Sequence, residues 1–296
     1  MTIGKCICHA TVALIVWLAL SACSPLGAVN ALTPAGTYAV RENIAYGPAA
    51  RNRLDVYEPR AEESGLPPAN GYPVVVFFYG GTWTSGSRAD YRFVGEALAS
   101  RGIVTIIADY RLYPEVRYPD FLRDCALAVA WARREVARYD GDARRLYIMG
   151  HSSGAYNAAM LALDARWLTA AGIAPSALAG WIGLAGPYDF FPMTNVEAQP
   201  VFFHPNYPRG SQPMEYASDA APRTFLGAAE SDTVVNPERN TRQLAQKLGA
   251  AGVPVVLKIY PNAGHATLIG AFSRPLRNVA PVLDDVVAFV RNDAKQ

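Results

Sequence analysis

The sequence predicts an α/β domain: one mostly parallel sheet, covered by helices on both faces, around a single core. Three observations carry this. From about residue 37 onward, apolar runs of strand length alternate with longer runs at helical spacing. The strand runs, "VVVFF" and "VTII" among them, are almost continuously apolar, as strands buried on both faces must be. Finally, 51% of the 296 residues are hydrophobic, which is ample for one large core. No internal repeat and no second core is visible.

Taken in order, "GTYAVRENIAYG" and "RNRLDVYEP" read as two early strands and "YPVVVFFY" as a buried strand. "DYRFVGEALASRG" reads as a helix, "IVTIIADY" as the next strand, and "YPDFLRDCALAVAWARREVARYD" as a long helix by its apolar spacing. Then follow the strand "RLYIMG", a helix from Ser153, and the strands "AGWIGLAG" and "PRTFLGAA". The helix "ERNTRQLAQKLGAAG", the strand "VPVVLKIY" and the helix "PVLDDVVAFVRND" complete the chain. Residues 187–220 break this rhythm, being rich in Pro and aromatics without a clean period. A loop of that length in a compact domain is usually functional, and its aromatics suit a packed excursion that walls a pocket.

The N-terminus differs in kind. A short stretch bearing Lys5 leads into the apolar run "TVALIVWLAL" and the small residues "SAC", the pattern of a secretory signal, too short for a comfortable membrane span. "LSAC", Leu20 to Cys23, resembles the lipobox of bacterial lipoproteins. That resemblance implies a signal peptide over 1–22, cleavage before Cys23 and lipidation of that cysteine. With Ser24 following, it also implies outer-membrane sorting; a plain secretory signal cleaved further on is the alternative. Residues 23–36, Pro/Ala/Gly-rich, suit a tether, which leaves 37–296 as the working domain in the cell envelope.

Charge is nearly balanced, 27 Lys+Arg against 25 Asp+Glu, and the basic residues are scattered, so nucleic acid has no electrostatic footprint here. Of the four cysteines, Cys6 and Cys8 lie in the signal and Cys23 at the lipobox. Cys125 alone remains, inside an apolar helical pattern, and reads as a buried structural thiol. No Cys/His grouping has metal-ligand spacing.

The chemistry concentrates in "YIMGHSSGAYNAAM". G-x-S-x-G between a strand and a helix is the nucleophile elbow, in which small residues at Gly150 and Gly154 permit a turn sharp enough to expose Ser152 above the strand ends. A serine hydroxyl is a poor nucleophile at neutral pH and needs a base, which in turn needs an orienting group. Of the four histidines, His9 lies in the signal, His151 inside the elbow and His204 in the irregular segment; His265, just after the last strand, remains as the base. The acid belongs between serine and histidine, on a loop after a strand: Asp232 in "ESDTVV" fits, with Asp189 and Glu230 as alternatives. Backbone donors for an oxyanion are expected from Ser153, the residue after the nucleophile, and from Gly81 and Thr82 in "FFYGGTWTSG".

"YGGTW", "ADYRLYPE", "GHSSG", "ESDTVV" and "NAGH" fall in an order and spacing that resembles α/β-hydrolase carboxylesterases, over about residues 40–292. The branch resembled holds hormone-sensitive-lipase-like esterases, arylformamidases and prenylcysteine methylesterases. The resemblance implies an α/β-hydrolase fold without a large cap domain, and a Ser152–His265–Asp232 triad. Two residues depart from the family's HGGG pattern: Tyr79 stands where histidine is usual and Thr82 where the third glycine is. Asp109, Tyr110 and Arg111 are expected to brace the surrounding loops. The reading is therefore a serine carboxylesterase acting on short- to medium-chain esters through an acyl-enzyme, in an open, shallow site and without metal or organic cofactor. An arylformamidase, a glycan deacetylase or a peptidase would use the same machinery, and an inactive hydrolase fold kept as a binding protein is a further alternative.

Overall fold

A computed structural model describes residues 25–292. Its centre is one eight-stranded sheet, ordered β1-β2-β4-β3-β5-β6-β7-β8. The strands are β1 (Tyr38–Ala45), β2 (Arg53–Pro59), β3 (Tyr72–Phe78), β4 (Val104–Ala108), β5 (Gly141–His151), β6 (Leu178–Leu184), β7 (Thr224–Ala229) and β8 (Val255–Tyr260). β2 runs antiparallel to β1 and β4; the other pairs are parallel. Every residue of β3 and β4 is buried, which is why those runs carry no polar alternation.

Helices α2 (Arg92–Ala99) and α8 (Val282–Arg291) pack against one another on one face. On the other lie α3 (Asp120–Glu135), α4 (Ser153–Leu163) and the short α5 (Ala165–Ala170). α6 (Gln243–Ala250) follows a π-helical turn, Glu238–Arg242, and α7 (His265–Gly270) opens directly on a residue of interest. Cys125 is buried in α3, as its pattern predicts, and burial pushes its thiol well above the ordinary value. Among the described residues no helix is long and apolar enough to cross a membrane.

Three features differ from the sequence reading. β5 begins at Gly141 rather than Arg145, because Tyr72 of β3 pairs with Gly141 across an irregular register that polar "GDARR" does not advertise. α5 and α7 are each six residues long, too short for a periodic signal. Much of the stretch read as a tether is a helix, α1 (Pro25–Ala31). It is fastened to the start of α2: the Asn30 side chain donates to Ala89 O, in the turn before that helix, and accepts from Phe93 N in its first turn. The signal and the lipobox cysteine, Cys23, lie outside the described residues.

Packing between α2 and the sheet is close enough to reverse a propensity rule. Gly95 sits inside α2, where alanine normally stabilises by about 1 kcal/mol. A Cβ there would lie 2.5 Å from the Tyr57 ring of β2, itself buried and packed against Tyr38. Overpacking of this kind costs roughly 1 to 3 kcal/mol. Gly95→Ala is therefore predicted to lower the urea midpoint; a raised midpoint would show that helix propensity governs the site.

Candidate active site

The site is assembled at the carboxyl ends of the parallel strands. β5 ends at His151 and α4 starts at Ser153, so Ser152 carries the whole change of direction, at φ 55° and ψ −126°. Such a conformation is strained for a side-chain-bearing residue and must be held by its surroundings. Ser152 N donates to Leu184 O of β6 at 2.9 Å, fixing the turn to the sheet. The elbow also needs glycine at its flanks: a Cβ on Gly154 would stand 2.0 Å from Phe78 O, and one on Gly150 2.1 Å from Gly154 O.

Ser152 Oγ lies 3.0 Å from His265 Nε2, and His265 Nδ1 lies 2.7 Å from Asp232 Oδ2. The three residues that the sequence singles out are thus brought together from the ends of β5, β7 and β8. Asp232 is held from its other side by the N–H groups of Val234 and Val235, at 2.8 and 2.9 Å to Oδ1. Burial disfavours its charge, but the hydrogen bond and charge of His265, with the Val235 and Val234 N–H groups, outweigh it and keep the carboxyl below its ordinary range. The arrangement suits an ionised carboxylate that orients an imidazole whose far nitrogen faces a hydroxyl.

The alternatives fall elsewhere. Asp189 forms a two-pronged ion pair with Arg239, at 3.1 and 3.2 Å, and Glu230 is exposed. His204 is exposed, its ring set against Tyr207. His151 is buried, and its Nε2 donates to His265 O at 3.0 Å. Burial, and then the neighbouring His265, push the His151 pKa down to about 3.

The loop expected to supply oxyanion donors leaves β3 beside the elbow. Gly81, Thr82 and Trp83 all have positive φ, 128°, 54° and 60°, so two side-chain-bearing residues hold a backbone conformation that favours glycine. Tyr79 supports them where the related pattern has histidine. It is wholly buried, stacked between Tyr91 and Tyr110, and its OH donates to Asp109 Oδ1 at 2.8 Å while accepting from Arg51 Nη2. Burial, with Tyr110 and Asp109 nearby, raises its pKa well above the ordinary value, so it stays a neutral donor. Tyr110 OH donates to Tyr79 O at 2.7 Å, Arg88 binds Asp109, and Arg111 grips Asp124 of α3. The bracing role read for residues 109–111 is what these contacts do.

A cavity of about 100 Å³ adjoins Ser152, lined by Thr82, Trp83, Ser153, Phe190 and Met193. Trp83 forms its fixed wall: Nε1 donates to Asn157 Oδ1 at 3.0 Å, and the ring packs edge-on to Tyr156 and Phe202. Phe190, Met193 and Phe202 come from the irregular 187–220 segment, which is packed as expected. Two side chains that the sequence reading did not single out clamp its start: Asn240 Oδ1 accepts from Tyr188 N and Asp189 N, and Gln212 Oε1 accepts from Phe190 N and Phe191 N. A far larger cavity, about 570 Å³, lies elsewhere, between α3 and α5, and contains none of the relay residues.

Residues 54–248 match the family model described as BD-FAE. The chain is 29% identical over 273 residues to the isoprenylcysteine alpha-carbonyl methylesterase ICME of Arabidopsis thaliana, covering 85% of this chain and 62% of that protein. It is 29% identical over 247 residues to esterase LipC of Mycobacterium tuberculosis (strain ATCC 25618 / H37Rv), covering 77% of this chain and 60% of that one. The chain thus spans about three fifths of the length of these curated relatives. Among solved structures, an inhibited esterase B from Lactobacillus rhamnosis superposes with a TM-score of 0.74 at 16% identity, covering 97% of each chain. The shared fold is that of the α/β-hydrolases.

The buried His151 has a consequence for stability. Its pKa falls from the ordinary 6.5 to about 3 in the fold, where His265 and Asp232 face it, so between those limits the unfolded chain binds a proton that the folded chain refuses. Stability is therefore lost as pH falls through that window, by up to about 1.4 kcal/mol per pH unit for one proton. His151→Gln is predicted to flatten the slope of unfolding free energy, measured by urea titration between pH 6.5 and 5. A slope equal to the parent's would mean that His151 is not held neutral.

Proposed function

The chain belongs to the BD-FAE family, and from that premise we propose that it is a serine carboxylesterase that cleaves short- to medium-chain esters through an acyl-enzyme on Ser152. The observation that carries this reading is the unbroken chain Ser152 Oγ, His265 Nε2, His265 Nδ1, Asp232 Oδ2, at 3.0 and 2.7 Å, above the strand ends.

In this reading His265 Nε2 accepts the Ser152 proton as Oγ bonds to the ester carbonyl carbon. The carbonyl oxygen becomes an oxyanion, held by the N–H of Ser153 and by the N–H groups of Gly81 and Thr82. Collapse of this intermediate breaks the bond to the alcohol oxygen, which leaves with the proton from His265. Water then attacks the acyl-enzyme, giving its proton to His265; that proton returns to Ser152 as the acid departs. Asp232 stays ionised throughout, fixing the His265 tautomer and stabilising the imidazolium. A cavity of about 100 Å³ takes roughly the volume of three water molecules, room for an acyl chain of a few carbons.

We extend the proposal to location. "LSAC" marks Cys23 for lipidation, so the domain works on the periplasmic side of the bacterial envelope, lipid-anchored to the outer membrane.

Three predictions test these readings. With p-nitrophenyl esters of increasing acyl length and the form beginning after residue 23, turnover falls steeply as the chain lengthens. Ser152→Ala lowers kcat by about 10⁴-fold or more without loss of fold. Activity in that variant removes the elbow from the mechanism, and a folded parent inactive on every ester redirects the search to N-formyl arylamines and glycan acetates. For location, Cys23→Ala in the full-length chain abolishes incorporation of radiolabelled palmitate and releases the protein from membranes at high salt; unchanged labelling would defeat the anchor.

A further inference from the structure

One buried histidine takes no proton in the reaction described above, yet lies against both the His265 turn and the Gly80 loop. His151 is 5% exposed, and its Nε2 bonds to the main-chain carbonyl of His265 at 3.0 Å. A carbonyl only accepts, so the proton sits on Nε2 and Nδ1 carries the lone pair. Nδ1 is itself buried without a partner, and faces the oxyanion loop so closely that a Cβ on Gly80 would stand 3.3 Å from it. The two imidazole rings are 5.0 Å apart.

The bond matters because of what else holds the His265 segment. Asp232 fixes the rotation of the His265 ring, but the position of the ring also depends on main chain between β8 and α7. Among the described residues, the other side-chain bonds to the backbone of residues 261–266 come from Thr267, three positions from Gly264, and are local. His151 is the long-range tie, joining that turn to the last residue of β5. A cationic donor would serve badly here, because His265 becomes a cation when it takes the serine proton; a neutral imidazole donates without opposing that charge.

We propose that His151 is a positioning residue for the base: one N–H···O=C bond from a neutral ring fixes the main chain carrying His265, and so keeps His265 Nε2 aligned with Ser152 Oγ. The inference rests on the esterase reading. Misplacement of a catalytic group by about 1 Å costs on the order of 100-fold in rate. His151→Phe, which fills the space without a donor, should therefore lower kcat for p-nitrophenyl acetate by about 10- to 100-fold, with KM changed less than about threefold. His151→Gln, whose amide nitrogen reaches the same carbonyl, should recover most of that loss. A His151→Phe kcat within threefold of the parent's overturns the proposal, as does equal impairment of Phe and Gln variants that both fold. Nitrogen-15 NMR of the histidines in the parent provides a test that needs neither variant: His151 should stay neutral and Nε2-protonated from pH 8 to 5, and the Nδ1–H tautomer would sink the idea. A parent without turnover counts against the esterase reading, whereas an active parent with an indifferent His151→Phe counts against this one.

Discussion

The whole site hangs on one close approach, that of Gly154 in the first turn of α4 to the carbonyl of Phe78 at the end of β3. No side chain fits between them. Because helix and strand meet there, three things share one small volume: the half-buried Ser152, the N–H of Ser153 and the Gly80–Thr82 loop that continues from β3. The strained backbone of Ser152 follows from the same constraint, and the β6 contact through Leu184 keeps it from relaxing. A turn with ordinary residues would separate helix from strand and move Ser152 away from the Gly80–Thr82 loop.

The surrounding polar network is arranged so that few charges share the interior without a partner. Asp232 is satisfied by His265 and two backbone N–H groups; Asp109 by Tyr79, Arg88 and the Arg88 backbone. Tyr79 is the local adaptation. Its aromatic ring stacks within the core while its hydroxyl reaches the same carboxylate, so one side chain both packs and hydrogen-bonds beneath the Gly80–Thr82 loop. A buried phenol keeps its proton, which makes it a dependable donor to Asp109.

How much of this was legible in the sequence depended on whether the determinant was local. The sheet strands and long helices were readable because their apolar spacing is written over consecutive residues. Gly150, Ser152 and Gly154 were readable for the same reason, and so was the loop at Gly80 and Gly81. His265 followed by elimination among few histidines. The sequence favours Asp232 as the acid but leaves Asp189 and Glu230 open, since position after a strand suits all three; the fold sets Asp232 against His265 and Asp189 against Arg239, and leaves Glu230 exposed. What stayed hidden joins residues far apart in the chain. The Asn240 and Gln212 clamps on the 187–220 segment, the Trp83–Asn157 bond and the His151 contact leave no periodic trace. Nor did the small, Ala-rich stretch before residue 36 reveal α1, whose place depends on a partner helix some sixty residues on.

The 187–220 excursion has a last implication. The relay stands at strand and helix ends, whereas part of the cavity beside Ser152, Phe190 and Met193, is carried by a segment that ties its backbone to side chains instead of to a ladder of its own. The cavity wall is therefore divided: Thr82, Trp83 and Ser153 come from the sheet-anchored turns, and Phe190 and Met193 from the excursion. Substitution within the excursion can reshape its own side of the cavity while Ser152, His265 and Asp232 keep their places.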